Sequence, residues 1–329
     1  MKITVLVTGA TGFIGAKLCL ALAKEGFNVR ALCRDLNHPN LPEHKDIVPF
    51  KGDILEMESL TRAIDGCEEV YHTAALAKMW SKNSDLFYQV NVKGTQNVME
   101  ACMVHQVRKV VYTSTCGVIG PTIKFPMTEV DPRVGGYPIA YERTKYLAEL
   151  LVNQFSAKGL PVVTVNPSRV FGEGPITDSN TVSKMINGYL KGKWRIIPGN
   201  GAQIANYVYV NDVVRGHINA MKYGRNGEKY ILGGEDICFN EFFETLKHLS
   251  GQEHRLFKVS QRLIKWFSYL ELAKTKLTGL APMFLPAFAD RLKYDQKYSS
   301  AKAIAQLHYQ ITPFKIGMGK TITYLKNNS

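Results

Sequence analysis

The sequence predicts an α/β fold: a doubly wound parallel sheet followed by a smaller C-terminal lobe. Three observations carry this. Short apolar runs alternate with segments of helical period through roughly the first 170 residues, the pattern of strand–helix–strand crossovers. The first run, Ile3 to Val7, is joined to the first helical segment, Phe13 to Glu25, by a turn with glycines at Gly9, Gly12 and Gly15. Beyond Gly172 the alternation gives way to stretches punctuated by Pro and Gly. Residues 1–172, with 203–234 returning to them, are therefore expected to form a Rossmann-type unit, and 173–202 with 235–329 a substrate lobe.

Each element follows from local pattern. The Gly-x-x-Gly-x-x-Gly turn lets backbone amides approach a pyrophosphate with no side chain between, and the helix opening at Phe13 adds its positive end. Surface turns are glycine-rich too, but a turn that follows a strand and opens a helix favours a dinucleotide site. Asn28 to Cys33 forms a second strand, about twenty residues on, where the adenosine ribose is expected. Cys33 and Arg34 stand where an acid would favour NAD(H); a guanidinium suits a 2′-phosphate, so NADP(H) is expected over NAD(H). Asp35 complicates this, because its carboxylate could bind a ribose hydroxyl or pair with Arg34.

Ile47 to Phe50 reads as the third strand and Glu56 to Ile64 as the next helix. Between them, Asp53 either accepts from an adenine amine or helps start that helix. Val70 to Ala75 is a fourth strand ending in Ala74 and Ala75, whose small side chains leave room for a ligand. Asp85 to His105 is a long helix, Lys109 to Thr113 a fifth strand, Pro121 to Gly136 a loop, Tyr137 to Lys158 a helix, and Val162 to Asn166 a sixth strand ended by Pro167.

Past Gly172, a helix is expected from Val182 to Lys191, a strand from Tyr207 to Val210, and helices over Phe239 to Ser250 and Gln261 to Lys274. The last gathers Leu263, Ile264, Trp266, Phe267, Leu270 and Ala273 on one side, edged by Arg262, Lys265 and Lys274. That predicts packing over a substrate cleft, with peripheral membrane contact through 262–285 as the alternative.

Composition excludes several classes. Of 329 residues, 45% are apolar, enough to fill a sizeable core, and no segment has the apolar length of a membrane span. Met1-Lys2 runs directly into the first strand, so a cytoplasmic location is expected. The six cysteines lie apart with no Cys-x-x-Cys pair and the eight histidines lack ligand spacing, so neither disulfide nor metal is expected; His72 and His217 read as packed or capping residues. There are 41 basic and 28 acidic residues, a net +13; between Gly251 and Ser329, 13 Lys or Arg face 4 Asp or Glu, about +9 of the excess. Such asymmetry reads first as a solvated basic face, with attraction of a nucleotide, an acyl-phosphopantetheine or an anionic membrane surface as the alternatives. Nucleic acid is not an expected partner, because no basic stretch is interleaved with aromatics as in a binding module.

Three places carry groups that could converge on chemistry: Thr113-Ser114-Thr115 at the end of the fifth strand, Tyr141, and Lys145. Tyr141 and Lys145, four apart on one helix, share a face. An ammonium beside a phenol favours the phenolate and so lowers its pKa towards neutrality. Thr115 could then hydrogen-bond the substrate oxygen.

In this order the motifs resemble the extended short-chain dehydrogenase/reductase family. The likeness runs through Thr8-Gly9-Ala10-Thr11-Gly12-Phe13-Ile14-Gly15, Gly52-Asp53-Ile54, His72-Thr73-Ala74-Ala75, Asn91-Val92-Lys93-Gly94-Thr95, Tyr112 to Thr115, Tyr141 with Lys145, and Tyr209 to Val213. Tyr230 to Gly234 and Tyr298 to Pro313 are similar to its dihydroflavonol 4-reductase-like branch, which includes 3β-hydroxysteroid dehydrogenase-like and hopanoid-associated proteins.

The resemblance implies that Tyr141 is the general acid/base, that Lys145 lowers its pKa and holds the nicotinamide ribose, and that Thr115 replaces the commoner Ser. It further implies that Asn91 supports the active-site helix and that Pro167 and Ser168 meet the nicotinamide. The implied function is ketone or aldehyde reduction by NADPH, or its reverse. A nucleotide-sugar epimerase or dehydratase is the alternative, disfavoured by Cys116-Gly117 after Thr115, by Arg169 and by Cys33. A non-catalytic NADP(H) sensor is the third reading. Lys78, Met79, Trp80, Thr122, Ile123, Arg169 and the segment from Arg262 to Leu285 are expected to shape a pocket for a hydrophobic small molecule, and a homodimer is left open.

Overall fold

The computed structural model describes residues 2–78, 80–177, 179–282 and 285–328. Its first part alternates as the sequence predicts: β1 (Thr4–Thr8), α1 (Phe13–Lys24), β2 (Asn28–Cys33), β3 (Ile47–Lys51), α2 (Met57–Ile64), β4 (Glu69–His72), α3 (Asp85–Tyr88), a π-helical turn (Gln89–Lys93), α4 (Gly94–Val104) and β5 (Lys109–Thr113). After a 3₁₀ turn (Cys116–Val118) come α5 (Ala140–Ala157), β6 (Val162–Pro167), β7 (Arg169–Phe171), α6 (Thr181–Leu190), β8 (Ile196–Pro198), β9 (Ile204–Tyr209), α7 (Val210–Tyr223) and β10 (Lys229–Leu232). The chain ends with β11 (Glu235–Cys238), α8 (Phe239–Ser250), β12 (Phe257–Val259), α9 (Gln261–Thr278), α10 (Pro286–Arg291), α11 (Ala301–Leu307) and α12 (Phe314–Asn327).

Seven strands form one parallel sheet in the order β10-β6-β5-β4-β1-β2-β3. The order reverses between β1 and β4, which opens a crevice at their carboxyl ends. The strands are apolar on both sides because both sides are covered. Val5, Val7, Val111 and Val163 pack with Leu18, Leu22 and Ile218 on one face. Leu6, Val70, Val110 and Val162 pack with Leu60, Val98 and Phe155 on the other.

A smaller three-stranded sheet, β11-β9-β7, lies over a core of rings in which Phe242 and Phe314 sit 5.1 and 5.7 Å from Tyr207. The predicted fourth strand is shorter than its apolar pattern: β4 stops at His72, so Ala74 and Ala75 lie in the following coil. Val210, expected to end a strand, instead opens α7.

Helix α9 departs from expectation. Ile264 is buried, but its companions on that inner face are Ser268 and Thr275, while Leu263, Trp266, Phe267, Leu270 and Leu277 are exposed. The apolar stripe therefore does not cover the cleft. A polar face can be buried here because Ser268 and Thr275 donate to the carbonyls of Lys265 and Glu271 at 2.6 and 2.8 Å. Lys265 also holds both carboxylate oxygens of Asp290 at 2.8 Å, and Gln261 donates to the Leu292 carbonyl, which fixes the helix in that rotation against α10. Among the described residues no helix is long and apolar enough to cross a membrane.

Candidate functional site

At the crevice the β1–α1 turn is drawn tight. Gly9 has φ +70°, and a Cβ there would stand 2.8 Å from the Ala74 backbone; one on Gly15 would stand 2.2 Å from the Gly9 carbonyl oxygen. Only glycine permits that turn and that approach. Gly12 precedes α1 with no side-chain cap, so the amides of the first turn keep their hydrogen-bonding capacity and the positive end of the helix for a ligand.

These residues line one wall of a cleft of about 460 Å³ that also takes in Thr11, Phe13, Ile14, Arg34, Asp53, Ile54, Ala74, Ala75 and Lys78. Arg34 stands exposed on the rim after β2, while Asp35 accepts from the Asn37 amide at 2.9 Å and is not among the residues lining the cleft. Asp53 accepts from the Leu55 amide at 3.0 Å, closing the turn that leads to α2. The residues fit a dinucleotide: a tight turn without side chains at its glycines, a row of amide donors at the start of α1, and a buried Ser168 hydroxyl on the far wall with no partner among the described residues.

The far wall brings Thr113, Thr115, Tyr141, Pro167, Ser168 and Arg169 together. The Tyr141 hydroxyl faces Thr115, whose oxygen accepts from the Gly117 amide at 3.1 Å. Lys145 stands behind the wall, fully buried; its Nζ donates to the Thr113 carbonyl at 2.7 Å and lies 4.2 Å from the centre of the Tyr112 ring. Burial pushes the Lys145 ammonium down to about 7 and the Tyr141 phenol up to about 12, with the Glu142 charge adding to the latter. The lowered phenol pKa expected from the four-residue spacing is not what the protein alone produces. Desolvation is the larger effect in the free protein, with the Lys145 ammonium bonded to the Thr113 carbonyl and facing the Tyr112 ring.

Not every predicted residue reaches the cleft. Trp80 lines a separate cavity with the C-terminal end of α9. Thr122 is tied to the Lys297 backbone, accepting at 2.6 Å, and Ile123 is exposed. Met79 lies outside the described residues. His72 and His217 are packed as expected, each bridging two partners: His72 between Thr8 and Thr95, His217 between Thr113 and the Val213 carbonyl.

The family model for the NAD dependent epimerase/dehydratase family matches residues 5–233, from the first strand through β10. The chain belongs to that family. Within it the sequence is an extended short-chain dehydrogenase/reductase, an NAD(P)-dependent oxidoreductase. It is 32% identical over 295 residues to sterol demethylase protein B of Methylococcus capsulatus, covering 88% of this chain and 86% of that one. It is 27% identical over 332 residues to a putative dihydroflavonol 4-reductase of Synechocystis, covering 98% and 94%. The crystal structure of gox2253 superposes with a TM-score of 0.85 at 27% identity, covering 100% of this chain and 99% of that one.

In this family member, a group that sequence reasoning missed closes the site from outside. Glu142, buried in the first turn of α5, pairs with Arg133 at 2.9 Å and with Arg291 of α10. Arg133 also donates to the Gly117 carbonyl and lies 4.3 Å over the Tyr137 ring. Arg291 lines the cleft with Gln296 and Tyr298, and Gln296 accepts twice from Arg169 at 2.9 and 3.2 Å. An acid in a helix's first turn is a visible signal; its partner 149 residues away is not.

Proposed function

We propose that this oxidoreductase interconverts a ketone or aldehyde and a secondary alcohol with NADP(H), as a dihydroflavonol 4-reductase-like enzyme acting on a hydrophobic substrate. The observation that carries the proposal is the Tyr141 hydroxyl on the cleft wall beside Thr115, one turn ahead of the buried Lys145. NADPH, when bound, supplies the hydride. In reduction Tyr141 gives its proton to the substrate oxygen, and the phenolate left behind is stabilised by the Thr115 hydroxyl and the Lys145 ammonium. Because the Thr115 oxygen already accepts from Gly117, its proton points to Tyr141 or to the substrate oxygen and fixes the angle of approach. Oxidation runs the same proton path backwards.

In this reading Gly9, Thr11, Gly12, Phe13, Ile14 and Gly15 hold the pyrophosphate and Arg34 the 2′-phosphate. Asp53 and Ile54 border the adenine; Ala74, Ala75, Thr113, Pro167 and Ser168 border the nicotinamide and its ribose. Lys78 and Arg169 mark the polar end of the substrate space, bounded by the lobe of 173–202 and 235–329. A sterol and a dihydroflavonol stand in the names of the two relatives, which agrees with an apolar substrate. Loss of reduced-nicotinamide absorbance with a panel of hydrophobic ketones tests the proposal. Turnover that vanishes in Tyr141→Phe while NADPH still binds supports it. Turnover of nucleotide sugars alone, or none with any ketone or alcohol, sinks it.

A further inference from the structure

The outward stripe of α9 has no function in the chemistry above, yet it is the largest group of exposed apolar side chains on one element. Leu263, Trp266, Phe267, Leu270 and Leu277 recur at helical spacing over about 21 Å, with Trp266 61% and Leu277 89% exposed. Soluble surfaces scatter such residues singly; a continuous row marks contact with something apolar. Arg262, Lys265 and Lys276 fall together along one border of the row and Lys274 within it, against Glu271 as the helix's one acid. An apolar face bordered by cations is the pattern of a helix lying in a bilayer interface.

We propose that the outward face of α9 seats on an anionic lipid bilayer. Two observations favour lipid over a second copy of this chain. Counting the Asp290 that Lys265 binds, the helix face carries four basic residues to two acidic, in a chain of net +13, so pairing two such faces would still bring excess positive charge against its like, whereas anionic headgroups complement it. The stripe is also one helix wide, short of the roughly 800 Å² per partner that a stable dimer covers. At its C-terminal end lies a cavity of about 500 Å³ lined by Trp80, Lys82, Lys276 and Leu277, with room for a headgroup between ammonium and ring. The chain just before Trp80, Leu76 to Lys78, lines the cofactor cleft. Docking would therefore bring the cleft's edge to the surface in which an apolar substrate dissolves; that last consequence rests on the proposed function, the docking itself does not.

Sedimentation of the full chain with phosphatidylcholine–phosphatidylglycerol vesicles tests this without any assay of activity. Binding is expected, with little to pure phosphatidylcholine and release at raised salt. Lys274→Gln with Lys276→Gln should weaken it about fivefold per charge, and Trp266→Gln with Leu270→Gln by at least about tenfold. Thermal unfolding should change little in both, since each of these side chains is largely exposed and the Lys274–Glu271 pair lies at the surface. No binding to the mixed vesicles, or equal binding by the Trp266/Leu270 variant, overturns the proposal. So does a dimer in sedimentation velocity that this variant abolishes, which would make the face an interface between copies.

Discussion

Asn91 donates to Thr144 at 3.0 Å, and Thr144 lies on α5 between Tyr141 and Lys145. The same amide accepts from the Leu76 backbone at 2.7 Å, so one fully buried side chain ties the cleft-lining strand exit to the helix that carries the phenol. The π-helical turn containing Asn91 widens the helix there by one residue, a device often found where a helix must aim a functional side chain. Asn91→Ala leaves the Leu76 amide unpaired and cuts the tie to Thr144, whose hydroxyl keeps the Ala140 and Tyr141 carbonyls at 2.9 and 3.0 Å. It should cost about 1–3 kcal/mol in urea unfolding. On the proposed chemistry it should also lower kcat by roughly tenfold to a hundredfold, through misplacement of Tyr141, with the KM for NADPH nearly unchanged. A large rise in that KM with kcat intact would place the role of Asn91 in cofactor binding instead.

Lys145 carries the pH dependence of the proposed reduction. Burial depresses its pKa to about 7 in the free protein, so its charge is lost as pH rises through neutrality. If that ammonium stabilises the Tyr141 phenolate, kcat/KM for ketone reduction falls by about tenfold per pH unit above that point, since this ratio reports the free enzyme. Lys145→Arg, permanently charged, should flatten the decline while lowering the plateau. A profile that stays level to pH 9 in the wild type would remove Lys145 from the proton chemistry.

On the proposed function, Arg34 is the residue on which the preference for NADP(H) turns. It stands on the rim of the cleft after β2, with Asp35 outside the lining residues and accepting from the Asn37 amide. A guanidinium on a 2′-phosphate contributes roughly 1.5–3 kcal/mol. Arg34→Ala should therefore reduce the preference for NADPH over NADH by about tenfold to a hundredfold, read as the ratio of the two Kd values in fluorescence titration. Equal affinity for both cofactors in the wild type would contradict the assignment.

How much of this was legible depended on the range of the interactions. β2, β5 and α8 fall on their expected residues because burial on both faces, or a capped amphipathic period, is written locally. Helix α5 begins at Ala140 rather than Tyr137, since Pro138 disfavours helical backbone at the residue before it. The glycine turn and the residues of the far wall were readable as motifs. The outward rotation of α9 was not: periodicity shows that a stripe exists, and only the tertiary anchors at Asp290 and Leu292 decide which way it points. The Arg133–Glu142–Arg291 cluster was equally hidden, because nothing local relates α5 to α10.

That cluster gives a stability prediction. Glu142 is nearly fully buried, and Arg133 and Arg291 are both partly so. Glu142→Gln leaves two guanidiniums facing each other without a counter-charge, and loss of one member of a buried pair typically costs about 3–5 kcal/mol. The urea midpoint should fall accordingly. Arg291→Met in the Glu142→Gln background should recover part of the loss, a coupling that a double-mutant cycle isolates. Independent, additive effects of the two changes would mean that the pair contributes little.

Two buried histidines set the acid limit of the fold. His72 bridges Thr8 and Thr95, and His217 bridges Thr113 and the Val213 carbonyl; desolvation lowers His72 to about 3 and His217 to about 4. Both are neutral when folded at neutral pH and would take a proton near pH 6.5 when unfolded. Between those limits the unfolded chain binds more protons, so stability is fully present above about pH 6.5 and falls as pH drops towards the folded values. With both groups contributing, the slope reaches about 2.7 kcal/mol per pH unit between roughly pH 6 and pH 4. His217→Gln should remove about half of that slope, at the cost of a lower stability at pH 7. Urea unfolding measured across this range checks it: a stability curve flat from pH 7 to pH 4.5 would show that these imidazoles are not kept neutral by burial.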